Sequence, residues 1–149
     1  GHSSGENMLF KPMAIAPTPE QTTAFLSRDQ DDSIVMVNLL KFKDKATYAE
    51  GTAEHGEDVS GATAYLRYGV EVRKILEKIG ATPLFNGIAP NFMIGDGDWD
   101  MVAMVRYPSR AAMIGMTQSA EYQAIHYHRE AGLAHQDLIE VTELQAPGS

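Results

Sequence analysis

Three histidines, His126, His128 and His135, fall within ten residues in the stretch AEYQAIHYHREAGLAH. Imidazole is both a metal ligand and the side chain that titrates nearest neutrality. On a regular helix His126 and His128 stand about 200° apart, so they face different sides rather than one coordination centre. The helical zinc signature needs two histidines four apart with a glutamate between them, which this stretch lacks. No metal and no cofactor are expected. His126 is the candidate catalytic acid–base residue, because it lies one turn after Tyr122. Arg129, three positions further, is placed to orient an anionic ligand.

Arg106 is the second candidate catalytic residue. It ends the apolar run WDMVAMVRY, where burial of a guanidinium calls for a carboxylate, several hydrogen bonds or an anionic ligand. An ion pair with Asp100 satisfies the same requirement. Asn38 interrupts the apolar run IVMVNLL and is either a structural hydrogen-bond partner or a ligand contact. Tyr65, Tyr68, Trp99 and Tyr122 supply hydroxyl donors and an aromatic wall for a small-molecule pocket. The DGD triplet at 96–98 reads as a turn rather than a calcium loop, whose remaining oxygen ligands are missing. Neither a glycine-rich nucleotide fingerprint nor a serine elbow occurs.

The elements that must carry these residues follow from periodicity. Thr18 caps a short helix, TPEQTTAFLSRD, and a first strand follows at about 33–42, with both faces expected to be buried at its centre. A polar loop leads to a long helix at about 62–79, where Tyr65, Tyr68, Val72, Ile75, Leu76 and Ile79 share one face. Thr82 to Ile94 provides one interrupted strand or two short ones, and WDMVAMVRY an internal strand. Pro108 and Ser109 then open a divided helical region that ends near Gly132, and LIEVTEL is the last strand. The order β, α, β, β, α, β predicts a ferredoxin-like α+β domain, an antiparallel sheet with helices on one face. An apolar second face would be covered by a second copy of the chain.

A chain of 149 residues with 44% hydrophobic and 21% charged residues suits one folded domain, assigned to 14–146 with an N-terminal helical extension. Residues 1–13, beginning GHSSGEN, read as an expression remnant or flexible tail, without the blocks of a signal peptide. A net charge of −8 opposes binding to nucleic acid or an anionic membrane, and no apolar run approaches the ~20 residues of a membrane span. The absence of cysteine removes disulfides and thiolate chemistry. A cytoplasmic location is expected.

The segments MVNLLKF, 62–81, WDMVAMVRYPSRAAMIGM and EYQAIHYHREAGLAHQDLI resemble uncharacterised domain family 1330, within the dimeric α/β-barrel superfamily. The similarity spans roughly 33–143, and Trp99, Arg106, Tyr107, Tyr122 and Arg129 match the pattern. The resemblance implies a ferredoxin-like protomer and a homodimer whose paired sheets form an α/β barrel. Its wider superfamily includes monooxygenases, polyketide cyclases, lactone isomerases and haem proteins. The functional expectation is a small-molecule-binding protein for an anionic or carbonyl-containing metabolite, acting as a cofactor-independent isomerase, cyclase or lyase. The alternative is a noncatalytic metabolite-binding or stress-related dimer.

Overall fold

The computed structural model describes residues 14–144, so the tail expected at 1–13 and the last residues of the expected domain lie outside the described residues. The elements run α1 (Pro19–Leu26), β1 (Ile34–Phe42), α2 (Gly61–Lys78), β2 (Thr82–Ile88), β3 (Met101–Tyr107), α3 (Arg110–Gln118), α4 (Ala120–Gly132) and β4 (Leu133–Val141). Each helix starts at a hydroxyl that accepts from an otherwise unpaired first-turn amide. These hydroxyls are Thr18 on Gln21, Ser60 on Thr63, Ser109 on Ala112 and Ser119 on Tyr122. Ser119 is also the extended residue that ends α3, so one side chain divides the helical region and sets the direction of α4.

The sheet order is β2-β3-β1-β4 and every neighbouring pair is antiparallel, the ferredoxin-like arrangement expected from the element order. Pleating puts Ile34, Met36, Asn38 and Leu40 on one face of β1, opposite Tyr107, Val105, Ala103 and Met101 of β3. The helices cover this face. Ile34, Met36 and Tyr107 pack there with Tyr68, Ile75 and Leu76 of α2, Met116 of α3 and Tyr122 of α4. The other face carries Val35, Val37 and Leu39 of β1, Val102 and Met104 of β3, Phe85 of β2 and Ile139 of β4. Phe85 and Ile139 there are 55% and 43% exposed. Within the chain β1 is therefore covered on one face, not on both as its apolar run suggests.

Two glycines allow α2 and α4 to touch backbone to backbone. A Cβ at Gly132 would stand 2.3 Å from the Gly61 carbonyl oxygen, and one at Gly61 would stand 2.2 Å from that of Lys43. Lys43 closes the junction, donating its N–H to Gly132 O at 2.8 Å and accepting from Gly61 N–H at 3.0 Å. A second fastening is Arg110, 4% exposed, which binds the Asp29 carbonyl and the Glu140 carboxylate beneath the Phe25 ring. It ties α1 and the loop after it to β4.

Two boundaries differ from expectation. β2 ends at Ile88, and 89–100 is irregular. β4 begins at Leu133, five residues before the expected LIEVTEL strand, because α4 passes into it with no intervening loop. Both sheet edges are interrupted. β2 has a register shift between Pro83 and Phe85, and outside β4 the Ala14 carbonyl accepts from the Gln136 amide at 2.7 Å.

Candidate functional site

Between the sheet and the long helices, polar side chains from β1, α4 and β4 join in a chain. Asn38 donates to the Ala103 carbonyl at 3.3 Å and accepts from Gln136 Nε2 at 2.9 Å. Gln136 Oε1 accepts from Arg129 Nη2 at 2.5 Å, and the same guanidinium nitrogen donates to the Ile15 carbonyl at 2.5 Å. Among the described residues no carboxylate lies within ion-pair distance of Arg129, whose side chain is half-buried. Gln136 is not among the residues that the sequence singles out. Its signal is positional, a polar residue at a helix-facing register opposite buried Leu40, and it emerges only once β4 starts at Leu133.

Tyrosines of the core pack on the same face of the sheet. The Tyr68 and Tyr122 hydroxyls share a 2.9 Å hydrogen bond in the core, and the Tyr65 ring lies 5.3 Å from Tyr68 and 5.2 Å from Phe42. Burial pushes the Tyr65 hydroxyl up to about 12, with the Arg129 charge opposing that rise. Burial also pushes Tyr68 well above the ordinary phenol range, reinforced by Tyr122 and Tyr65. Near neutral pH both are hydrogen-bond donors rather than phenolates.

Of the residues singled out from sequence, Asn38, Tyr65, Tyr68, Tyr122 and Arg129 thus come together on the helix-covered face. His126 stands at the edge of this group, its ring 5.5 Å from Tyr122 and its Nδ1 3.2 Å from Glu130 Oε1. Arg106 does not join them. It pairs in register with Val35 and Thr82, which puts it on the opposite face, and it is exposed. The enclosed arrangement expected for Arg106 with His126 is therefore not formed within the chain. Asp100, its anticipated ion-pair partner, instead contacts Lys41 Nζ at 3.4 Å and accepts from the Phe42 amide at 2.8 Å. Trp99 also lies away from the group, stacked on His135 at 4.9 Å and 18° on the face that carries Lys41.

The three histidines go to three places. His126 meets Glu130, His135 accepts from the Ala14 amide, and His128 Nδ1 shares a 2.7 Å hydrogen bond with the Tyr48 hydroxyl. Arg67 donates to that same Tyr48 oxygen at 3.3 Å and pairs with Glu57 at 3.0 Å, so Tyr48 fastens the β1–α2 loop to both long helices. Burial lowers the His128 pKa, with Arg67 acting in the same sense and Glu54 against it. An open groove of about 280 Å³ between α2 and the α3–α4 junction, lined by Ile75, Ile79, Gly115 and Met116, does not include the polar chain.

The fold and these residues describe a ferredoxin-like α+β domain with a polar cluster between its sheet and its helices. The chain belongs to the family described as Domain of unknown function (DUF1330), whose model matches residues 52–144. It is similar to RPA0582 from Rhodopseudomonas palustris, a protein of unknown function, at 30% identity over 89% of this chain and 98% of that one, with a TM-score of 0.77. Methylated RPA0582 gives 31% identity, 92% and 98% coverage and a TM-score of 0.79. At3g17210 from Arabidopsis thaliana shares the fold alone, at 12% identity over 76% of this chain and 97% of that one, with a TM-score of 0.51. No curated protein matches the chain by sequence. Among the described residues no helix is long and apolar enough to cross a membrane, and no group of three His, Asp or Glu side chains is placed to hold a metal ion.

Proposed function

We propose that the protein binds a small anionic or carbonyl-containing metabolite between the sheet and α4, with Arg129 as its electrostatic anchor. The observation that carries this reading is the guanidinium itself. It is half-buried, and among the described residues its partners are the neutral oxygens of Gln136 and Ile15. A cation withdrawn from water without a counter-ion is costly, and an oxyanion would offset that cost through a charge-assisted hydrogen bond. Asn38 and Gln136 hold the guanidinium in direction, while Tyr65 and Tyr68 offer neutral hydroxyls to a carbonyl. The apolar outer face of the sheet supports a homodimer, in which a second copy covers Val37, Met104 and Ile139 and closes the barrel. Arg106 and Trp99 would then stand at the interface.

A second reading, cofactor-independent isomerase, cyclase or lyase chemistry, draws on His126. Glu130 orients its ring beside Tyr122, which places the imidazole to take or give a proton of a ligand bound next to that tyrosine. In this reading Arg129, rather than the Arg106 expected from sequence, stabilises developing oxyanion charge.

Ligand-observed NMR with a panel of 2- and 3-oxo acids, lactones and inorganic phosphate, run on wild type, Arg129→Gln and His126→Ala, separates these readings. Removing the charged donor weakens binding by about 10- to 150-fold, the equivalent of about 1.5–3 kcal/mol. Equal binding by a correctly folded Arg129→Gln protein overturns the anchor. Product formation by wild type that His126→Ala loses while retaining affinity supports the enzyme. Binding without product in either protein supports the metabolite-binding dimer.

A further inference from the structure

Ala14 and Ile15 make three hydrogen bonds, two at the outer edge of β4 and one to Arg129 of α4. The Ala14 amide donates to His135 Nδ1 at 3.0 Å, and the Ala14 carbonyl accepts from the Gln136 amide at 2.7 Å. The Ile15 carbonyl accepts from Arg129 Nη2 at 2.5 Å. The third bond occupies the guanidinium proposed above as the ligand anchor, with a neutral oxygen where an anion would be the stronger acceptor. The first bond depends on protonation. Nδ1 can accept only while it keeps its lone pair, so docking of Ala14 requires a neutral His135 carrying its proton on Nε2.

We propose that Ala14–Ile15 form a strap that closes over Arg129, competes with an anionic ligand for the guanidinium, and is released when His135 is protonated. The competition rests on the binding reading above; the protonation switch does not. Protonated His135 would set an N–H against the Ala14 N–H, two donors facing each other. Asp137 Oδ1 is 3.9 Å from Nε2, while Lys41, the register partner on β1, is already paired with Asp98 at 3.1 Å and Asp100 at 3.4 Å. Among the described residues the aromatic neighbour of His135 is Trp99, uncharged and stacked on the ring. The docked state binds fewer protons than the released state, so acidification favours release. Anion binding therefore tightens as pH falls.

Trp99 is the sole tryptophan, and its stacking on His135 makes its fluorescence a reporter of that ring. Amide hydrogen exchange at Gln136, taken as a protection factor to remove the intrinsic pH dependence, reads the strap directly. Wild type, Ala14→Pro, which removes the donating amide, and His135→Phe, which keeps a stacked ring without an acceptor, are compared at about pH 8 and about pH 5. Inorganic sulfate, ionised throughout this range, serves as the anion. Gln136 protection in wild type is expected to fall about tenfold on acidification, the scale of one lost hydrogen bond, with a coincident change in Trp99 emission. In both variants protection is low and independent of pH, and sulfate binds more tightly than to wild type at the higher pH. Unchanged wild-type protection between the two pH values, or His135→Phe protection equal to wild type, overturns the strap. Switching protection with no Arg129-dependent sulfate binding in wild type or Ala14→Pro upholds the protonation switch and refutes the ligand anchor. Arg129-dependent sulfate binding with constant protection does the reverse.

Discussion

Replacing Gly132 by alanine tests how the site is held in register. The added carbon would stand 2.3 Å from the Gly61 carbonyl oxygen, 2.9 Å from the Tyr65 nitrogen and 3.3 Å from Ala64 Cβ. Backbone occupies two of these three directions, so no side chain can swing away and the helices themselves must part, by roughly 1 Å to restore ordinary van der Waals contact. Overpacking of this kind costs about 1–3 kcal/mol. Parting the helices also strains the bond from the Lys43 amide to Gly132 O, 2.8 Å in the native junction, whose loss adds about 0.5–1.5 kcal/mol. A total of about 2–4 kcal/mol is a large share of the roughly 5–15 kcal/mol that a domain has. Gly69 provides the internal comparison. It lies inside α2, where an added methyl group would meet nothing within 4 Å, so Gly69→Ala should stabilise by about 0.5–1 kcal/mol through helix propensity alone. Urea unfolding followed by far-UV circular dichroism reads both. With a slope of about 1.5 kcal/mol/M, Gly132→Ala lowers the midpoint by roughly 1.3–2.7 M and Gly69→Ala raises it slightly. A Gly132→Ala midpoint within about 0.3 M of wild type would refute the claim that backbone contact sets the helix spacing.

Further outcomes follow from the same geometry. Arg110→Met leaves the Glu140 carboxylate and the Asp29 carbonyl without their buried donor; because Arg28 also reaches Glu140 at 3.6 Å, the thermal and urea stability loss should be near the lower end for a broken buried pair, about 3 kcal/mol, and Arg110→Met with Glu140→Gln should recover part of it. Tyr65, Tyr68 and Tyr107 have folded-state pKa values raised by burial, so their neutral forms favour folding: the contribution is fully present below about pH 10 and is lost as pH rises through the folded values. Phenolate absorbance should show the buried Tyr65, Tyr68 and Tyr107 ionising late, together with alkaline unfolding. Val37→Lys puts a charge in the middle of the apolar sheet face, and sedimentation velocity should show a dimeric wild type and a monomeric variant; a monomeric wild type refutes face pairing.

Local chemistry announced the elements well. Thr18 and Ser109 cap where a hydroxyl precedes a helical pattern, and the apolar run of β1 forms the strand that it suggests. Nonlocal facts were harder to read. Both sides of WDMVAMVRY are apolar, so alternation alone cannot say which side meets the helices; the pairing of Arg106 with Val35 decides it and sends Arg106 away from Asn38. Gly132 reads as a helix stop, yet its stronger constraint is the closeness of Gly61, 71 positions earlier. Gln136 was hidden because no turn residue marks the passage from α4 into β4. Tyr48 sits in a polar loop without periodicity, and only the folded chain brings it to His128. The cluster around Arg129 was partly visible in its residue types, whereas the bond that links Arg129 to Asn38 through Gln136 belongs to topology.

The interrupted edges of the sheet bear on how copies of the chain can meet. A sheet grows in its own plane by lending the free amides and carbonyls of an outer strand to a newcomer. Here Pro83, with no amide hydrogen, and the adjoining bulge spoil β2 as such a template, while Ala14 already occupies part of the β4 margin. Lateral addition, the route to filaments, is thus discouraged on both sides, and the open apolar surface points perpendicular to it. Stacking two such surfaces about a twofold axis uses up both at once and leaves none for a third copy. If copies pair as proposed, the placement of Pro83 and the Ala14 carbonyl favours a closed pair over an endless array.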